Sequence, residues 1–134
     1  MPELKKYKMF INGEWVNSDT EKTFETLNPE NNKPWAVVPE ASASDVDRAV
    51  KAAQNAFEGE WPKLLPKERA RYLRMIGDKL RENAEHLGKI ETIDTGKLYR
   101  ETYKQANYIA EYYDYYACNL SHKIAAIASV TGSM

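Results

Sequence analysis

Cysteine is almost missing from this sequence. Cys118 is the single one among 134 residues, so no internal disulfide and no cysteine-based zinc cluster can form. Histidine is nearly as scarce, and His86 and His122 lack metal-ligand spacing with each other. No stretch approaches the ~20 consecutive apolar residues that a membrane span requires. The opening Met1-Pro-Glu-Leu-Lys-Lys-Tyr-Lys8 has lysines but no apolar segment behind them, so no signal peptide is expected. Glycine and proline number six each, and they form no flexible linker, repeat or low-complexity tract. Charge of one sign is missing too. The net charge is -1, with 7 basic and 11 acidic side chains in residues 1–60 against 12 and 9 in residues 61–134. Nothing in that balance calls for a nucleic-acid partner or an anionic membrane. A cytoplasmic location is the expectation.

What is present is ordinary for a soluble globular protein: 43% hydrophobic and 29% charged residues, in a length that suits one domain. Asn12-Gly13 between Lys8-Met-Phe-Ile11 and Glu14-Trp-Val16 is a strong hairpin signal, because both turn residues must take positive φ. Thr23-Phe-Glu-Thr-Leu27 alternates polar and apolar, and Trp35-Ala-Val-Val38 is a short apolar run; the turn formers Asn28–Pro34 between them predict a second hairpin. Helices follow. Ser44 and Asp47 have capping-box spacing at the start of the first, whose Val46, Ala49, Val50, Ala53 and Phe57 share one face. Gly59-Glu-Trp-Pro62 interrupts, and Pro66 suits the first turn of the next helix. Leu73, Ile76, Leu80, Ala84, Leu87 and Ile90 then form a long stripe with a kink expected near Asn83. Gly96 stands in the position of a C-cap, with Lys97 beside the negative helix end. A last helix is expected from about Arg100 to Leu120. The fold class is therefore α+β: two short antiparallel hairpins over residues 1–40, then about four amphipathic helices over 42–120, with a tail over 121–134. Together, residues 1–134 make one incomplete domain.

Three motifs in this order carry a resemblance. Phe10-Ile-Asn-Gly-Glu-Trp15, Thr23-Phe-Glu-Thr-Leu-Asn-Pro29 and Glu91-Thr-Ile-Asp94-Thr-Gly96-Lys97 together resemble the N-terminal part of an NAD(P)-dependent aldehyde dehydrogenase, in register from about Met9 to Ala117. Members similar to betaine-aldehyde dehydrogenase are nearest in character. The resemblance implies the N-terminal piece of an α/β doubly wound cofactor-binding domain, in a homo-oligomeric family that uses NAD or NADP. A complete member would oxidise a small aldehyde to a carboxylate through a cysteine thiolate, hydride transfer and hydrolysis. It keeps its nucleophile, general base and most cofactor contacts further downstream. The chain thus reads as a truncated or internally deleted form, inactive alone. Two other readings are a non-catalytic interaction module pairing with a related full-length subunit, and an inert gene remnant.

The tail Ile127-Ala-Ser-Val-Thr-Gly-Ser-Met134 resembles the family's strand and Thr-Gly-Ser turn, which implies cofactor contacts at Gly132 and Ser133. Such backbone N–H groups and a hydroxyl at a helix start suit a pyrophosphate. The resemblance also implies a potassium or sodium site whose ligands here are the carbonyls of Thr26 and Leu27 and the carboxylate of Asp94. Monovalent cations prefer such oxygen donors; the alternative is that Asp94 only hydrogen-bonds its own turn.

No catalytic residue is assigned. Cys118 lies late in a tyrosine-rich helix, where a cysteine packs as a small hydrophobe; the alternative is a catalytic pair with His122, four residues on along the same helical face. Glu91 and Asp94 share a helical face, but a structural role is the better reading without a nucleophile nearby. Seven of nine tyrosines lie between Tyr99 and Tyr116. With only Arg100 and Lys104 against Glu101, Glu111 and Asp114, they read as helix-packing residues with hydroxyls in water rather than a nucleic-acid platform.

Overall fold

The structure is a computed structural model that describes residues 4–131, with side chains through Leu120. In chain order it contains β1 (Lys5–Lys6), β2 (Met9–Ile11), β3 (Glu14–Val16), β4 (Thr23–Asn28) and β5 (Lys33–Pro39). These are followed by α1 (Ala43–Glu58), a 3-10 turn (Trp61–Lys63), α2 (Pro66–Glu82), α3 (Ala84–Thr95) and α4 (Tyr99–Thr131). The residues gather into two compact units. The first runs up to Lys63 and includes Ile93–Gly96; the second comprises Leu64–Thr92 and the chain from Lys97 onward.

Both expected hairpins are present in the first unit. Asn12 at φ 52° and Gly13 at φ 85° turn β2 into β3, pairing Phe10 with Trp15. Asn28 and Asn31 build the second turn by accepting the N–H groups of Glu30 at 2.9 Å and Lys33 at 3.0 Å. β4 then pairs antiparallel with β5, and the register shifts between Thr26 and Leu27, which face Ala36 and Pro34. Trp35 is thereby the extra residue of a bulge. The strand β1 was not foreseen. It is two lysines long and carries no strand pattern, yet it pairs parallel with β5 and makes that strand the centre of a three-stranded sheet.

The start of α1 differs from expectation. Its cap is Ser42, in extended conformation, with Asp45 completing the capping box, rather than Ser44 with Asp47. The Ser-x-x-Asp spacing occurs twice in succession, and the buried environment of Asp45 selects the first copy. The apolar face expected on α1 exists as a pattern but is exposed: Val46 by 52%, Val50 by 63% and Phe57 by 69%.

In the second unit, Pro66 occupies the first turn of α2, and Glu68 reaches back to accept the Leu65 N–H at 2.7 Å. The kink expected near Asn83 is a full break, with Asn83 separating α2 from α3 and donating its side-chain amide to the Lys79 carbonyl at 2.8 Å. Gly96, at φ 74°, ends α3 as a C-cap glycine does.

The packing of α2 and α3 with α4 does not follow the large-residue stripe. Ile76 and Leu87 are exposed and Leu73, Leu80 and Ile90 half-buried, whereas Ala70, Gly77, Ala84 and Gly88 are buried. On α4 the buried positions are Thr102, Ala106, Ala110 and Ala117. Small side chains let the backbones approach, which large ones would forbid. A Cβ on Gly77 would lie 3.2 Å from the Ala110 carbonyl oxygen, and one on Gly88 would lie 3.0 Å from both Cα and N of Tyr103. The fully buried Thr102 hydroxyl donates to the Gly88 carbonyl at 2.9 Å, with the Thr92 hydroxyl 2.9 Å away.

Helix α4 also runs further than the expected Leu120. Residues 127–130, expected as a strand, and Thr131, expected to open the Thr-Gly-Ser turn, are helical. Ala125, Ala126 and Ala128 supply the strongest helix formers in that stretch.

The contact at Gly88 is backbone against backbone, so it has no side chain that can swing aside. Gly88→Ala is expected to destabilise the second unit by about 1–3 kcal/mol, in the range for overpacking, read as a fall in the thermal midpoint. An unchanged midpoint would mean that the helices can separate without loss.

Candidate functional site

Asp94 sits in the last turn of α3 and belongs to the first unit with β4. Its carboxylate accepts the Thr26 hydroxyl proton at 2.9 Å. The contact joins residues 68 apart in sequence, so it is tertiary and extends beyond any bond Asp94 makes within its own turn. Leu27 follows Thr26 directly, at the register shift of the β4–β5 ladder. A bulge re-aims backbone groups that a regular ladder would consume. Nearby, a Cβ on Gly96 would come within 3.0 Å of the Pro29 ring, so Asp94-Thr-Gly96 and Thr26-Leu-Asn-Pro29 lie side by side. Among the described residues no three His, Cys, Asp or Glu side chains converge. The Asp94 carboxylate and the Thr26 hydroxyl are both oxygen donors, the kind that a hard cation prefers.

The other polar constellation of this unit was not foreseen. Asp45 is 1% exposed, and its carboxylate takes hydrogen bonds from the Ser18 hydroxyl at 2.7 Å, the Ser42 N–H at 2.8 Å and the Ser42 hydroxyl at 2.9 Å. The Asp19 N–H stands 3.3 Å from it, and the Arg48 guanidinium donates to its other side. Arg48 also pairs with Asp19 at 3.0 Å. The Ser42 N–H, then Ser18 and Arg48, hold the Asp45 carboxyl far below the usual carboxylate range against the opposing effect of burial. Its sequence signal was the Ser42-x-x-Asp45 spacing; the partner Ser18 has none, because only the fold brings it there.

The remaining candidates do not converge. Glu91 pairs with Lys97 at 2.7 Å, so the two acids of the Glu91–Asp94 pair have separate partners. His86 is exposed on α3. Cys118 is exposed and lies in the body of α4, far from the helix start where the dipole could stabilise a thiolate. The side chain of His122, and Gly132 and Ser133 altogether, lie outside the described residues. Most of the tyrosines expected to pack between helices are exposed instead, from 40% at Tyr99 to 62% at Tyr115.

Two hairpins leading into a close-packed helical layer match the N-terminal part of a Rossmann-like α/β enzyme fold. The model of the Aldehyde dehydrogenase family matches residues 15–132, and the chain belongs to that family. The Aldehyde dehydrogenase family 2 member C4 of Arabidopsis thaliana is 42% identical over 101 residues, covering 75% of this chain and 20% of that protein. The (Z)-2-((N-methylformamido)methylene)-5-hydroxybutyrolactone dehydrogenase of Acinetobacter baylyi is 39% identical, covering 90% of this chain and 24% of that protein. Among solved structures, a betaine aldehyde dehydrogenase from Staphylococcus aureus in complex with NAD+ is 38% identical with a TM-score of 0.78, over 82% of this chain and 22% of that one. An NAD-dependent aldehyde dehydrogenase from Sinorhizobium meliloti has a TM-score of 0.81 at 30% identity, over 86% and 23%. The chain thus spans between a fifth and a quarter of the length of these relatives. Among the described residues no helix is long and apolar enough to cross a membrane.

The depressed Asp45 carboxyl has a signed consequence. A group whose pKa is lower folded than unfolded contributes stability that is full above its unfolded value, about 3.9. That stability is lost as pH falls further. Thermal midpoints should therefore drop as pH is lowered through about 4, and Asp45→Asn should lower the midpoint at neutral pH while flattening this acid limb. An acid limb of unchanged slope in Asp45→Asn would assign it to other carboxylates.

Proposed function

We propose that this chain supplies the N-terminal hairpin and helical layer of an NAD(P)-dependent aldehyde dehydrogenase-like oxidoreductase. The whole protein oxidises an aldehyde to a carboxylate, and the chain alone is catalytically inert, as a truncated or internally deleted form would be. The observation that carries this is the family match over residues 15–132 by a chain spanning at most about a quarter of its relatives. NAD comes from the Staphylococcus aureus relative, which was solved with it. Gly132 and Ser133 stay assigned to the cofactor by motif. None of the thiolate, hydride or water-activating roles falls to a residue here, since Cys118 is exposed on the body of a helix. The single cysteine accords with a reducing, cytoplasmic compartment, and a homo-oligomeric parent is part of the same reading.

One observation favours a second reading, the non-catalytic module that pairs with a related full-length subunit. Val46, Val50 and Phe57 expose an apolar face on α1, and exposed apolar patches seek cover.

For the cation, the contact of Asp94 with Thr26 supports a potassium or sodium ion held by the Asp94 carboxylate and the carbonyls of Thr26 and Leu27. The ion would offset the negative charge of Asp94 and tie β4 to the end of α3. With one full negative charge in an exposed position, binding should be weak.

Two measurements follow. Incubation with NAD or NADP and a panel of aldehydes should give no reduced nicotinamide by absorbance; turnover that disappears in Cys118→Ala would overturn the reading. Adding potassium or sodium should raise the thermal midpoint slightly in the native chain and not in Asp94→Asn. An equal rise in both would locate the ion elsewhere.

A further inference from the structure

The open apolar face of α1 has a finer pattern than amphipathicity requires. Among its exposed residues, Ala43, Val46, Val50, Ala53 and Phe57 follow one another at spacings of three and four in strict alternation. With 3.6 residues per turn they fall in a stripe about 80° wide. That is narrower than the face a helix turns to a globular core, and it is the width of a coiled-coil seam. The first unit does not use this face for its own packing. Asp45 is buried and Ala49 and Ala52 are half-buried on another flank, and the β2–β3 hairpin lies against Arg48, Ala52 and Asn55. The helix is also formed in advance, because Ser42 and Asp45 cap its first turn reciprocally. Association therefore has little left to order.

A seam of this kind is closed by a helix with the same pattern, and a second α1 supplies one. Antiparallel pairing of two copies sets Val46 against Phe57 of the second copy and, in the same register, Val50 against its Ala53. Each larger side chain thus meets a smaller one. That register also brings Ala49 to Ala56 of the second copy on one flank, where small side chains permit close approach, and Asp47 to its Gln54 on the other. Gln54 gives one amide N–H to Glu58 and keeps a second for the Asp47 carboxylate. Lys51 and Glu58 lie further round the helix, and Arg48 is engaged by Asp19 and Asp45. No like charges meet across the seam. A parallel pair would stack Phe57 on Phe57 and Ala53 on Ala53, overfilling one layer and emptying another, with the two helix dipoles side by side in the same sense. We propose that α1 pairs antiparallel with α1 of a second copy of this chain, through Val46, Val50, Ala53 and Phe57. The face and the register are what the expectation of a homo-oligomeric parent leaves open, and the pairing needs neither cofactor nor nucleophile.

The interface is small, since α1 has 16 residues and is about 24 Å long. Its dissociation constant should be on the order of 100 µM. Sedimentation equilibrium of the intact chain, at concentrations spanning that value, should show monomer and dimer. Val50→Glu sets a charge in the seam and Phe57→Ala empties its largest layer, so each should weaken the dimer roughly tenfold or more. Both side chains are exposed in the monomer, and circular dichroism should show both variants as helical as the native chain. Should either lose helix, the other carries the comparison. Direction is read separately, with a nitroxide on Glu58→Cys in a Cys118→Ser background, mixed with isotope-labelled native chain. Amide resonances around Val46 of the isotope-labelled chain should broaden more than those around Phe57. A chain that stays monomeric, association that grows past the dimer, an unweakened dimer in a folded Val50→Glu or Phe57→Ala, or stronger broadening around Phe57 would each overturn the proposal. A monomer would leave the enzymatic reading untouched, because the aldehyde assay tests that reading by itself.

Discussion

Backbone-to-backbone contact between helices is the constraint on which the second unit depends. At Gly77 and Gly88 a methyl group would press on the Ala110 carbonyl at 3.2 Å and on the Tyr103 backbone at 3.0 Å, so the facing helix would have to give by a few tenths of an ångström. Once the helices are that close, the buried positions must be small, and the fully enclosed apolar side chains of the unit are alanines. The same closeness makes Thr102 tolerable at 0% exposure, since its hydroxyl finds the Gly88 carbonyl rather than being stranded. It also displaces Tyr72, Met75, Ile76 and Leu87 to the outside, where they remain exposed.

The first unit is organised differently, by polar convergence. One buried carboxylate, Asp45, collects the loop around Ser18 and Asp19 and the first turn of α1 into a single knot. The Ser42 and Asp19 N–H groups that it takes belong to the helix start and the loop, where no helical or ladder partner serves them. The Thr26–Asp94 contact is weaker in kind, being exposed, yet it fixes where the end of α3 meets β4. Both devices position backbone, and neither presents an activated nucleophile.

That character agrees with membership of the aldehyde dehydrogenase family through its N-terminal part. Its chemistry-bearing residue types stand apart: Cys118 exposed on α4, Glu91 engaged by Lys97, Asp94 engaged by Thr26. The aromatic surface of α4 is the exception, where side chains of one type gather around a hollow.

Local grammar determined a good deal of this. Asn12-Gly13, Pro66 and Gly96 each constrain φ or remove a donor, and Asn28, Asn31 and Asn83 bond nearby backbone through their side chains, so the hairpins, the start of α2 and the ends of α2 and α3 could be read from the chain. The three motifs likewise carried the family. What the tertiary structure decided was which surfaces become interior. A helical stripe shows only that Val46, Val50 and Phe57 share a face; whether anything covers that face depends on partners far away in sequence, and among the described residues it stays open. Periodicity of large residues could not reveal that glycine and alanine would form the packed seam, because closeness of approach belongs to two backbones at once. For the same reason Ser18 could not be matched with Asp45, 27 positions away, nor β1 with β5, whose two lysines pair only because the sheet edge is there. Sequence wrote the local conformations, and long-range proximity chose among the uses to which they were put.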